Sequence, residues 1–389
     1  MSGGAASSGG RIVAPYAARR ETSRGRRYPE PVSEHRSEYQ RDRDRVIHSN
    51  AFRRLVYKTQ VFVNHEGDLY RTRVTHSMEV AQIARSIARA LRLDEDLTEA
   101  ISLAHDLGHT PFGHAGQEAL NACVRAAHPG SGFEHNLQSL RVVDWLEERY
   151  PAYDGLNLCF ETREGILKHC SRRNAEAIEK REPGGVARRF IDATQPGLEA
   201  QLCNLADALA YNAHDIDDGV RSGLLTIEQL EAVELFDACR RDALAAYPNL
   251  EGRRLLFEII RRMIARQVDD LIAVTRAALA DAAPASADAV RASPPLVRSS
   301  AAMRAGCVQL EQFLRANLYR HPQVVETTDR ARRVIADLFA VYSADASALP
   351  PAVAALPRRH RAIADYIAGM TDRFALREHE RLTGETLFP

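Results

Sequence analysis

The stretch Leu198 to Gly219, LEAQLCNLADALAYNAHDIDDG, reads as one helix with two unlike faces. At 100° per residue, with Asp207 as the origin, Tyr211 falls at about 40°, His214 at about −20° and Asp215 at about 80°. Leu198, Leu202, Leu205, Leu209 and Ile216 cluster between roughly 160° and 220°. The aliphatic face belongs against a core. The other presents Asp, Tyr, His and Asp, where a solvated face would more often carry Lys, Glu and Arg, so it is a candidate site.

Working outward, the chain supplies partners for that face in another dense stretch, Ala104 to Gly116, AHDLGHTPFGHAG. It holds three histidines and an aspartate, a nitrogen and oxygen donor set that suits a divalent first-row metal. The apolar residues Leu97, Ile101 and Ala104 place His105 and Asp106 at the end of a helix that starts at Asp94, because Gly108 and Pro111 break the pattern directly afterwards. Upstream, Val80, Ile83, Ala84, Ile87, Ala88 and Leu91 share one helical face, with Thr75 as the expected N-cap and His76 in the first turn. Helices are expected over 113–127, over the run SGFEHNLQSLRVVDWLEE, over 190–218 and through most of the remainder. The charged, Pro- and Gly-containing segment 171–188 is expected to be a loop, and DAAPASADAVRASPP a break. With no internal repeat and no run of strands, the fold class is all-α.

Composition narrows the rest. The 389 residues are 45% hydrophobic, enough for a sizeable core, and Lys+Arg and Asp+Glu balance at 52 each, so net charge does not argue for a nucleic-acid partner. No apolar run is long enough to span a bilayer and the N-terminus lacks a signal-peptide core, which makes a cytoplasmic protein with no membrane association the expectation. The six cysteines are widely spaced with no C-x-x-C pair, which fits reduced thiols. Ten arginines fall within residues 1–45 among few apolar residues. Three regions follow: 1–38 as a disordered basic tail, 39–225 as the metal-binding core, and 226–389 as C-terminal helices packed on it. The tail could otherwise order against a neighbouring subunit or an anionic ligand.

The strings RDRDRVIHSNAFRRLVYKTQVF, TRVTHSMEVAQIAR, AHDLGHTPFGHAG, FEHNLQSLR, LADALAYNAHDIDDG and NLYRHP together resemble the bacterial deoxyguanosine triphosphate triphosphohydrolase-like proteins of the HD-domain phosphohydrolases. The resemblance runs from about Ala14 into the C-terminal helices. It implies the helical HD fold, with His76, His105, Asp106 and Asp207 as ligands of a divalent metal (Mn, Mg, Fe, Ni or Co). It also implies hydrolysis of a deoxynucleoside triphosphate between the 5′ oxygen and the α-phosphorus, giving deoxynucleoside and triphosphate. His114 and His135 match the catalytic histidines, Arg73 a substrate arginine, and Gln60 a residue near the sugar or base. Tyr211 and Asp215 match a pair on the sugar, Tyr211 filling the 2′ space and Asp215 accepting from the 3′-hydroxyl.

For the phosphates, Arg53, Arg54, Lys58 and Arg71 are further candidates, because cationic forks fit phosphate oxygens. His109 has a weaker claim, and His128 is expected in a loop. One departure stands out: where many relatives carry an acid three residues after the first catalytic histidine, this chain has Gln117, beside Glu118. Gln117 can orient His114 but cannot stabilise its imidazolium as a carboxylate does. Altered or effector-dependent activity is therefore expected. The resemblance also implies a homo-oligomer and a second nucleotide as effector. The alternatives are another HD nucleotidase, or a nucleotide-sensing or single-stranded nucleic-acid-binding protein with weak catalysis.

Overall fold

A computed structural model describes residues 13–60 and 71–388 of the chain. The first twelve residues of the expected tail, and most of the expected loop NHEGDLYRTR with Asn64 and Gly67, lie outside these. Among the described residues the secondary structure is helical apart from two isolated bridges, Thr59 with Thr72 and Tyr150 with Tyr153. No helix of the described residues is long and apolar enough to cross a membrane.

The N-terminal half runs α1 (Glu38–Ile47), α2 (Asn50–Arg54), α3 (Arg73–Leu91), α4 (Glu95–Ala104), α5 (Gly113–Ala127), α6 (His135–Arg141), α7 (Phe160–Ile166), α8 (Arg172–Glu179), α9 (Arg188–Asp192) and α10 (Leu198–Arg221). The C-terminal half runs α11 (Ile227–Leu230), α12 (Glu234–Ala246), α13 (Gly252–Ala282), α14 (Ala287–Ala292), α15 (Ala301–Leu314), α16 (Pro322–Ala344), α17 (Pro351–Ala354), α18 (Arg359–Ala368) and α19 (Asp372–Thr383).

The helix carrying His76 starts earlier than its apolar periodicity suggests. Thr72 is the N-cap, and Thr75 sits one turn in, its hydroxyl oxygen accepting from the Thr72 N–H at 3.1 Å. His76 thus leaves the helix's first turn already on the buried face. Helix α4 begins as expected, with the Asp94 carboxylate accepting from the Leu97 N–H and His105 as C-cap.

Helix α10 is buried on both faces. Leu198, Leu202 and Leu209 join Val80, Ile83, Ile87, Leu97, Ile101 and Leu271 in one cluster. Each such side chain contributes roughly 1.5–3 kcal/mol when fully buried. Ile216 enters a second cluster with Phe236, Ile259 and Leu314. A third cluster joins Leu120 and Phe133 to Val334, Leu338 and Ile367, and so seats α16, α18 and α19 against α5. Asp372 strengthens that seat from the start of α19, since its buried carboxylate accepts from the backbone N–H groups of Thr59 at 2.8 Å and Phe112 at 3.0 Å.

Other sequence expectations change as well. Residues 13–37 are not a solvated tail: Ala14, Ala17 and Ala18 are buried, and the Ala18 N–H donates to Glu199. The Arg26 side chain is almost wholly enclosed, with its guanidinium on Glu38, Asp42 and the Asn157 carbonyl. Counting arginines could not reveal carboxylates placed to receive them, and only such pairing makes burial of a charge tolerable. Segment 171–188, expected as a loop, contains α8, capped by Ser171 accepting from the Asn174 N–H and anchored by buried Ala175. The Pro183–Gly185 turn ends this stretch. The expected helix 190–218 is likewise split into α9 and α10, and the 281–295 break holds the short α14.

Candidate metal centre and cleft

Each donor is delivered by a helix end or a buried helix face. His76 comes from the first turn of α3, His105 and Asp106 from the end of α4, and Asp207 from the middle of α10. Single donor atoms of His76, His105 and Asp207 all lie within 4.8 Å of one another. His76 Nε2 is 2.9 Å and His105 Nε2 3.5 Å from Asp207 Oδ1. Asp106 flanks the cluster, its Oδ1 3.2 Å from His105 Nε2 and its Oδ2 4.0 Å from His76 Nε2.

The chemistry of these donors fits a cation. His105 Nδ1 lies 2.6 Å from the Ser102 carbonyl oxygen, which can only accept, so Nδ1 carries the hydrogen. That leaves Nε2 facing two carboxylates, and this buried atom has no hydrogen-bond partner among the described residues. An imidazole nitrogen set between two carboxylates is the donor arrangement a divalent metal takes. Burial works to raise both carboxyls, but is outweighed. His105, His109 and Arg73 hold Asp106 well below the usual carboxylate range, and Lys168, His105 and His76 do the same for Asp207.

Past Gly108 the loop is fixed by contact. A Cβ at Gly108 would stand 2.1 Å from the Ser139 nitrogen and 2.3 Å from the His135 carbonyl oxygen, so only glycine lets the loop approach α6 this closely. The Ser139 hydroxyl closes the seam by donating to the His105 carbonyl and accepting from the Gly108 N–H, both at 2.9 Å. Phe112, a non-glycine residue at φ 61°, turns the chain into α5, held by Asp372.

This loop gathers a second group of histidines. The rings of His109 and His135 lie 4.0 Å apart, those of His109 and His114 5.8 Å, and those of His114 and His135 6.3 Å. His109 Nδ1 is 3.2 Å from Asp106 Oδ1. Burial, reinforced by Arg73, lowers the pKa of His109 and of His114. Burial brings His135 down to about 3, against the pull of Asp106. His128, by contrast, is an exposed C-cap of α5.

Gln117 is placed differently from the sequence expectation. Its Oε1 accepts from the His135 backbone N–H at 3.0 Å and lies 2.7 Å from His135 Nδ1, so it orients His135, not His114. Glu118 points to Arg332 on α16 and takes no part.

The cationic candidates separate. Arg73 is buried, donates to Asp106 Oδ2 at 2.8 Å, and has Nε and Nη2 without partners among the described residues. Lys58 is buried at the back of the loop, donating to the His109 and Ala368 carbonyl oxygens, which corrects its expected place on a phosphate. Burial pushes its pKa down to about 7. Arg71 is engaged by Asp217, Asp218 and Glu79, and Arg54 by the Gly369 carbonyl oxygen. Arg53 is exposed in the last turn of α2. Gln60 is buried, with its Oε1 unpartnered among the described residues.

Asp207 opens onto a cavity of about 300 Å³ lined also by His114, Asn204, Tyr211, Glu311 and Tyr319. Asp215 lies beneath it, fully buried, with its carboxyl receiving the Tyr319 hydroxyl and its pKa raised by burial and by Asp218. A larger cavity of about 540 Å³ lies behind, between α2 and α17–α19, but shares none of these residues.

Sequence reasoning missed Lys168, whose Nζ is 2.5 Å from Asp207 Oδ2, and underrated His109. It also missed Tyr319, although NLYRHP carried it. His214 appeared only as a point on the helical wheel. The structure sets it 3.3 Å from His76, Nδ1 to Nδ1, with its other nitrogen on Glu79.

Comparison with known proteins covers the same stretches of chain. Residues 73–212 match the HD domain and residues 297–381 the phosphohydrolase-associated domain. The chain is 63% identical over 372 residues to a deoxyguanosinetriphosphate triphosphohydrolase-like protein of Ralstonia nicotianae, covering 95% of this chain and 94% of the relative. Proteins of the same description from Bordetella pertussis, 60% identical with 95% and 96% covered, and Nitrosomonas europaea, 54% identical with 95% and 97% covered, are similar along the same span.

Proposed function

Since the chain belongs to the family of deoxyguanosinetriphosphate triphosphohydrolase-like proteins and is an HD phosphohydrolase, we propose that it hydrolyses deoxynucleoside triphosphates to deoxynucleoside and triphosphate. The observation that carries this reading is the unpartnered His105 Nε2 facing Asp106 and Asp207 beside the cavity.

His76, His105, Asp106 and Asp207 would hold a divalent ion of Mn, Mg, Fe, Ni or Co. When bound, such an ion supplies Lewis-acid polarisation of a phosphoryl oxygen and lowers the pKa of a bound water. The chain's own residues do the rest. Arg73 offers two unused N–H groups to the triphosphate, and desolvation strengthens that attraction. His135, with its Nδ1–H fixed on Gln117, keeps Nε2 free to take a proton from the attacking water. His114 opens into the cleft and gains proton affinity when a triphosphate's charge lies beside it, so it can protonate the departing 5′ oxygen. Tyr211 lines the sugar side. Asp215 has Oδ2 on Tyr319, leaving Oδ1 for a sugar hydroxyl.

The test is product analysis over the four deoxynucleoside triphosphates, singly and mixed, with Mn2+. Triphosphate plus deoxynucleoside is the expected outcome, and activity appearing only in mixtures would indicate a nucleotide effector. Inorganic phosphate released from a deoxynucleoside monophosphate, with no attack on triphosphates, would replace the proposal with a nucleotidase. Nucleotide binding without turnover of any mixture would replace it with a sensor.

A further inference from the structure

Behind His76, on the side away from Asp207, three side chains line up on two helices. His76 Nδ1 is 3.3 Å from His214 Nδ1 on α10, and His214 Nε2 meets the carboxylate of Glu79 on α3. Glu79 is held in turn by Arg71, whose Nε lies 3.3 Å from Oε2 while its Nη1 bridges Asp217 and Asp218 on α10.

When a metal takes the inner end of this row, its polarity follows from the outer end. A carboxylate only accepts, so His214 Nε2 must donate to Glu79. Neutral His214 then has a lone pair at Nδ1, which can only accept, so the hydrogen between the two rings belongs to His76 Nδ1. The lone pair of His76 is then on Nε2, the atom within the donor cluster and 2.9 Å from Asp207, where a metal would stand between it and that carboxylate. His214 is buried and Glu79 is partly exposed, so the row runs from the protein's edge to the candidate metal centre.

We propose that Glu79 and His214 are positioning residues that set the tautomer and ring orientation of His76 for metal binding, through a carboxylate–histidine–histidine relay. A ligating histidine needs an acceptor at its outer nitrogen, and here a second imidazole supplies it while the carboxylate fixes that imidazole in turn. The relay also binds α3 to α10 at the level of the metal, because Arg71 closes it on Asp217 and Asp218. It rests on the metal reading of the preceding subsection. No step of hydrolysis passes through Glu79 or His214.

The test is direct Mn2+ binding to metal-stripped protein, without turnover, for the wild type, His214→Ala, His214→Asn, Glu79→Gln and the double variant His214→Ala with Glu79→Gln. Loss of an outer-sphere partner typically costs roughly 10- to 100-fold in metal affinity, and His214→Ala is expected in that range. His214→Asn, whose amide oxygen can accept from His76 Nδ1, is expected to recover most of the loss. Glu79→Gln is expected to weaken binding less. The double variant should bind no more weakly than His214→Ala alone, because the chain is already broken. Wild-type affinity retained to within twofold in both His214→Ala and Glu79→Gln would overturn the relay. So would independent, multiplying effects of the two, or a loss that His214→Asn fails to recover. Should His214→Ala not fold, His214→Asn and Glu79→Gln decide by the same comparison. Wild-type protein that binds no Mn2+ would instead overturn the metal reading and the relay with it.

Discussion

The two groups of histidines in the cleft are built from the same residue type and behave oppositely. His76 and His105 face Asp207 and Asp106, and both carboxyls are held far below their ordinary range by the cations around them. Of the carboxylates near His109, His114 and His135, Asp106 touches His109 and Glu134 lies 3.2 Å from His135 Nδ1 while already accepting from the Asn136 and Leu137 N–H groups, and burial with Arg73 nearby lowers the pKa of each histidine. What the carboxylates are engaged with decides the difference. One end concentrates negative charge that a cation must satisfy, and the other keeps neutral imidazoles available for proton transfer.

Breaking the first end has the largest expected effect. Asp207→Asn removes the carboxylate that both His76 and His105 approach and leaves Lys168 unpaired beside the cluster. Mn2+ binding is expected to be lost and hydrolysis to fall by roughly 10³-fold or more, as for groups that act as one unit. Metal titration followed by a rate measurement at saturating Mn2+ checks it. A variant that binds Mn2+ like the wild type would show that the negative end does not hold the metal.

Disturbing the seam between the ends comes next. Gly108 lies between His105 and the backbone of His135, and Gly108→Ala would force a Cβ into the Ser139 and His135 main chain. Backbone atoms cannot give as side-chain ends do, so a loss of about 1–3 kcal/mol or more is expected, read from denaturant unfolding. The folded fraction should also lose activity, since the two histidine groups move relative to each other. Unchanged stability and rate would mean that the loop is not the rigid mount its contacts describe.

These particulars also show what could be read from residues alone. The periodicities of α3, α4 and α10 were legible because burial is a property of local spacing, and the breakers Gly108 and Pro111 marked where His105 and Asp106 leave the helix. Partners distant along the chain were not legible. Lys58 reads as a phosphate ligand until Ala368, more than three hundred positions later, supplies a carbonyl for it. Arg26 reads as part of a solvated tail until Asp42 and Asn157 enclose it. The same limit made Gln117 seem a companion of His114, three positions before it, when α6 brings His135 to its amide oxygen instead.

Gln117→Glu sharpens the contrast with the smallest effect. A carboxylate in place of the amide would accept the same two N–H groups of His135 and would add a negative charge within hydrogen-bond distance of the ring. An opposite charge that close raises a histidine pKa by roughly 1–3 units, which from about 3 places His135 between roughly 4 and 6. The sign follows: a base with raised pKa is lost at higher pH as the solution is acidified. In the wild type, His135 stays neutral throughout pH 5–8 and contributes no acid limb there. In the variant, kcat/KM should begin to fall near pH 6 and drop up to about tenfold by pH 5, while rates at pH 8 stay within about threefold. A pH–rate profile from 5 to 9 at saturating Mn2+ reads this directly. Superimposable profiles would mean that His135 is not the base, and the second histidine group would then serve the substrate by position and hydrogen bonding alone.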